Sequence, residues 1–144
     1  MTLKTHEIFE STLQKTHHWL EDIRRQMDWE DEQRAYVALR AVLHTLRDRL
    51  TVDEAVHLGA QLPMLIRGLY YEGWTPADKP VKIRDVDEFA GVVADYVVNY
   101  PDIDGKCICS AVFGVIGNRI SEGEVEDVVN MLPKEIQQLW PRKV

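Results

Sequence analysis

Residues 41–70 read Ala41-Val-Leu-His-Thr-Leu-Arg-Asp-Arg-Leu50, Thr51-Val-Asp-Glu-Ala-Val-His-Leu-Gly-Ala60 and Gln61-Leu-Pro-Met-Leu-Ile-Arg-Gly-Leu-Tyr70. Residues 111–140 repeat this pattern seventy positions later without a gap, and eight of the thirty paired positions are identical. Most other apolar positions exchange like for like (Leu46/Ile116, Ala55/Val125, Leu58/Val128), so the match lies in the core pattern and in its punctuation. Such spacing is the mark of a duplicated helical unit.

The punctuation predicts where helices start and stop. Thr51-Val-Asp-Glu54 and Ser121-Glu-Gly-Glu124 are capping boxes, in which a hydroxyl accepts from the third amide and the glutamate reaches back to the first. Arg49 and Arg119 stand just before them, placed to offset the end of the preceding helix and to reach the box glutamates. Leu62-Pro63 and Leu132-Pro133 end the helix that follows each box, and each proline is expected at the first position of a short helix.

Outside the repeat, Phe9, Leu13, Thr16, Leu20, Ile23 and Met27 recur at steps of three and four, which predicts an amphipathic first helix. Asp28-Trp-Glu-Asp31 opens the next, with its stripe at Tyr36, Leu39, Leu43, Leu46 and Leu50. Gly73-Trp-Thr-Pro-Ala-Asp-Lys-Pro80 cannot continue a helix, and Asp85-Val-Asp-Glu88 starts another that carries Phe89, Val92, Val93, Tyr96 and Val97. The expected fold is all-α, two tandem similar helical bundles with about six longer helices and two short ones. Residues 1–75 form the first repeat, 76–84 a linker and 85–144 the second, the two packing either separately or as one domain.

Composition narrows the function. With 144 residues, 45% hydrophobic and 28% charged, the chain can bury a core without a covalent staple. A net charge of −7, with 17 basic residues scattered among 24 acidic ones, argues against duplex nucleic acid. No apolar run reaches the ~18 residues of a membrane span, and the first ten residues lack the apolar core of a signal peptide. Cys107 and Cys109, two apart, suit reduced thiols rather than a disulfide, which points to the cytoplasm.

The run Arg34–Leu50 with Asp53–Pro63 and Arg67-Gly-Leu-Tyr-Tyr-Glu-Gly-Trp74 closely resembles bacterial proteins of the DUF2267 family, as does the ending Ser121-Glu-Gly-Glu with Leu132-Pro133 and Leu139-Trp-Pro141. The resemblance spans nearly the whole chain. It implies a bacterial, all-α, duplicated domain and carries over no activity, cofactor or catalytic residue.

Candidate sites follow from what the repeat does not explain. All five histidines have a carboxylate four positions away (His6/Glu10, His17/Glu21, His18/Asp22, His44/Asp48, His57/Asp53) and read as surface ion pairs, so no metal site and no cofactor are expected. Cys109 aligns with core residue Leu39 and reads as a buried thiol. No Ser/His/Asp order, phosphate-cradling glycine loop or glycosidase acid pair marks a catalytic residue. Arg40, His44 and Arg47 form a positive stripe that the second copy lacks, with Gly114 for His44 and Gly117 for Arg47; they read first as a solvated surface face, with docking of an anionic ligand as the alternative. Arg67, Tyr70, Tyr71 and Trp74 crowd one turn, and Tyr, Trp and Arg are the residues that anchor interfaces; Tyr70 could equally plug its own bundle.

Two functions are therefore expected. The first is a non-enzymatic interaction module that binds a protein partner or a second copy through the aromatic turn. The alternative is a small-ligand carrier or enzyme with its site between the repeats.

Overall fold

Short polar side chains set the helix starts. In the computed structural model, which describes residues 4–141, Asp31, Thr51, Asp85, Asp104 and Ser121 each precede a helix and accept from an amide two or three positions on. Each such cap stabilises its helix by about 1 kcal/mol. The elements are α1 (Thr5–Met27), α2 (Glu32–Arg49), α3 (Val52–Gln61), α4 (Met64–Tyr71), α5 (Val86–Tyr96), α6 (Gly105–Arg119), α7 (Glu122–Met131) and α8 (Lys134–Gln137). Among the described residues there is no strand. The all-α expectation holds, with α4 and α8 as the two short helices.

Taking α1–α4 and α5–α8 as two halves, the packing between them is reciprocal. α1 lies against α2 and also against α6 of the other half, while α5 lies against α6 and also against α2. α2 and α6 touch at the centre, and α3 meets α7 at one end. As the central helix of the first half, α2 is buried all round from Ala41 to Arg47, which explains why its polar residues His44, Thr45 and Arg47 are enclosed. The buried side chains of both halves belong to one cluster, from Trp19 and Leu43 to Phe113 and Val128. Phe113 stacks on Trp140 with ring centroids 4.4 Å apart and planes 4° from parallel.

Several local expectations are corrected. Phe9 and Leu13 are 56% and 48% exposed, and Thr12 takes the inner position instead. The reason is a docking bond: the Thr12 hydroxyl oxygen accepts from Leu65 N–H at 2.9 Å, which fixes the start of α4 on α1 and turns Phe9 and Leu13 outward. Pro63 and Pro133 lie one residue before α4 and α8 rather than within them. Val97 is the residue that closes α5, outside the helix. Arg49 and Arg119 do not reach the box glutamates. Arg49 Nε donates to Ile83 O at 2.6 Å, tying down the connection, and Arg119 pairs with Asp22 of α1 at 2.7 Å.

Candidate functional site

The reciprocal packing brings the two capping boxes face to face. Thr51 and Ser121 make the expected caps, each hydroxyl accepting from the amide of Glu54 or Glu124 at 3.2 Å. The return half of the second box is not made, because Ser121 N–H donates instead to Gln61 Oε1 at 3.2 Å. The glutamate side chains turn inward where α3 meets α7. Glu54 is 6% exposed and Glu124 8%, and each keeps one carboxylate oxygen, Oε2, buried without a partner.

His57, one turn after Glu54 on α3, completes the cluster. A carboxylate oxygen of Glu54, a ring nitrogen of His57 and a carboxylate oxygen of Glu124 all lie within 4.8 Å of one another. The imidazole sits on the exposed rim of the seam and the two carboxyls beneath it. Asp127, at the position of the second half that matches His57, also acts on Glu124 through its charge.

Two carboxylates cannot both ionise cheaply in such a place. Burial raises the Glu124 carboxyl, reinforced by its hydrogen bond to Glu54 and by the negative charge of that neighbour, to about 8. Burial and the neighbouring negative charge thus favour the protonated form of Glu124.

The residues singled out from the sequence assemble elsewhere, around the C-terminal end of α4. His44 is 2% exposed and its Nε2–H donates to Leu69 O at 2.7 Å. Arg47 is 4% exposed and donates through Nη1 to Tyr70 O at 2.6 Å and Glu72 O at 2.7 Å. Arg40 pairs with Glu72 at 3.1 Å and lies over the Tyr96 ring. His44 and Arg47 thus bind backbone carbonyls at the end of α4, whereas Arg40 binds the Glu72 carboxylate. Burial lowers the His44 pKa, opposed by the bond to Leu69 and reinforced by Arg47 and Arg40.

The aromatic turn is similarly turned inward. Tyr70 is fully buried and its hydroxyl donates to Ala55 O at 2.6 Å. Tyr71 and Trp74 are half-buried and packed on each other, with centroids 5.6 Å apart. Arg67 donates to Gly59 O and Leu62 O, both at 2.9 Å, and so closes the end of α3. Cys109 is buried, which pushes its thiol up to about 12, and Cys107 is exposed. His17 pairs with Glu32 at 2.9 Å rather than with Glu21.

Glu54, His57 and Glu124 thus form the cluster that the sequence reading did not assemble. The local signal was present, since Glu54-x-x-His57 places a carboxylate and an imidazole on one helix face. What no local spacing contained was the third member, seventy residues away.

An all-α chain with paired capping boxes and no strand among its described residues narrows the comparison to helical families. The chain belongs to the family described as "Uncharacterized conserved protein (DUF2267)", which it matches over residues 16–139. No curated protein matches it. Among the described residues, no helix is long and apolar enough to cross a membrane.

Proposed function

We propose that the protein is a small-ligand-binding helical module, without catalytic activity of its own, whose site lies between the two halves at the α3–α7 seam. The observation that carries this reading is the buried pair Glu54 and Glu124, each with an oxygen that no protein group satisfies. A buried polar atom without a partner costs about 1–3 kcal/mol, so the pair as it stands lowers stability. A bound cationic ligand would offset that cost.

An interaction module working through the aromatic turn is the less favoured reading. Tyr70, Tyr71 and Trp74 spend most of their surface inside the protein, and Arg67 spends its donors on α3.

Native mass spectrometry of protein isolated from its source cells without chelator tests the proposal. One ligand per chain is expected on the wild type and none on Glu54→Gln/Glu124→Gln, with folding checked by circular dichroism. A ligand-free wild type, or equal retention by the double variant, would defeat it.

A further inference from the structure

The donor set at the seam is more specific than a pair of acids. It offers two carboxylate oxygens and one imidazole nitrogen from two helices, with the nitrogen on the accessible side. Hard cations such as calcium and magnesium take oxygen ligands and gain little from imidazole. Zinc and its neighbours accept carboxylate and imidazole together, and three protein ligands with a remaining position open to water is a common arrangement for them.

The geometry is close to what such an ion needs. Two ligands at about 2.1 Å from a tetrahedral ion stand about 3.4 Å apart. The three donor atoms lie within 4.8 Å of one another, so the shortfall is what rotation of glutamate and histidine side chains can close without moving the helices. Each carboxylate-bearing helix is capped at its own start by Thr51 or Ser121, and Ser121 N–H donates across the seam to Gln61. The two unpartnered oxygens, Glu54 Oε2 and Glu124 Oε2, are what separates this cluster from a patch of surface acids.

We propose that Glu54, His57 and Glu124 bind one divalent transition-metal ion of the zinc or cobalt class, seated between α3 and α7 and joining the two halves. This rests on the seam reading above and gives its ligand a class. The ion would take one oxygen from each glutamate and the ring nitrogen of His57, and water would fill the outward position. Asp127 stands beside Glu124 and adds a negative charge that favours the ion without being required as a ligand.

The test uses the full chain, freed of metal by chelator and dialysed. Cobalt(II) and zinc(II) are titrated by visible absorption and calorimetry, with magnesium(II) and calcium(II) as separate arms. One equivalent of cobalt(II) or zinc(II) per chain is expected. His57→Ala and Glu124→Gln should each weaken binding by roughly tenfold or more, in proteins whose circular dichroism matches the wild type.

Calcium or magnesium binding that His57→Ala does not weaken would overturn the metal class and leave the seam reading standing. Failure of every cation to bind, together with a ligand-free native protein and a Glu54→Gln/Glu124→Gln variant more stable than wild type, would overturn both. In that case the pair is a proton-sharing contact of packing alone.

Discussion

Arg47 donates from one nitrogen to the backbone oxygen of Tyr70, 23 residues further along the chain and 2.6 Å away. The same nitrogen reaches Glu72 O at 2.7 Å, and Arg47 Nε holds Asp48 at 3.1 Å. An enclosed guanidinium is tolerated because its donors are used. The matching position of the second half is Gly117, where α8 is only four residues long. Replacing Arg47 by alanine removes the guanidinium donor from Tyr70 O and Glu72 O. It should cost about 2–4 kcal/mol, read as a lower urea midpoint at unchanged slope. Arg47→Lys should recover only part of the loss, since an ammonium cannot reproduce the planar fork.

Gly105 opens α6 at a place with no room for a side chain. A Cβ there would stand 2.6 Å from Ala90 O, a backbone atom of α5 that cannot swing aside. Gly105→Ala should therefore push α5 from α6 and cost about 1–3 kcal/mol by thermal or urea unfolding. Gly91→Ala is the control: a Cβ at Gly91, on the same helix as Ala90, meets nothing within 4 Å. It should match or exceed the wild type in stability, because alanine is the better helix former.

Trp74 and Tyr71 pack against the protein, so their loss should register as stability rather than as altered assembly. Trp74→Ala is expected to lower stability by about 1–3 kcal/mol while the sedimentation coefficient stays that of the wild type. A change in subunit number at unchanged stability would revive the aromatic turn as an interface.

Two buried groups should give metal-free protein opposing pH dependences. Glu124 binds its proton more tightly folded than unfolded, so its contribution is full below its ordinary value of 4.5 and is lost as pH rises to about 8. His44 is displaced the other way, so its contribution is present above 6.5 and is lost as pH falls below that value. Of these two groups, only Glu124 acts between pH 6.5 and 8. Unfolding free energy should decline there by at most about 1.4 kcal/mol per pH unit, and Glu124→Gln should flatten that slope. Below pH 6.5, His44→Gln should remove the opposing loss and leave the protein comparatively more stable towards acid.

Helix starts were readable from Asp31, Thr51, Asp85 and Ser121 because capping is decided within three residues, and the structure places each at a helix start. The inward side of α1 was misread at Phe9 and Leu13. Periodicity reports which residues are apolar, whereas the orientation there is fixed by a bond from Thr12 to Leu65, 53 residues away. His44 and Arg47 read as a surface stripe because sequence shows charge and not enclosure, and α2 is enclosed by α1, α4, α5 and α6. The seam cluster was hidden for a related reason. Each glutamate had a sufficient local explanation as the last member of a capping box, and only the meeting of α3 with α7 gives the pair another use.

The seam also has a handedness that only a single chain can supply. Glu54 is followed one turn later by His57, and Glu124 by Asp127. A symmetric dimer of the first half would put two imidazoles at the rim, and one of the second half two carboxylates. Joined through residues 72–85, the halves meet intramolecularly, at an effective concentration that favours their pairing over pairing between like halves. The connection therefore specifies composition: one histidine flank and one aspartate flank in every molecule.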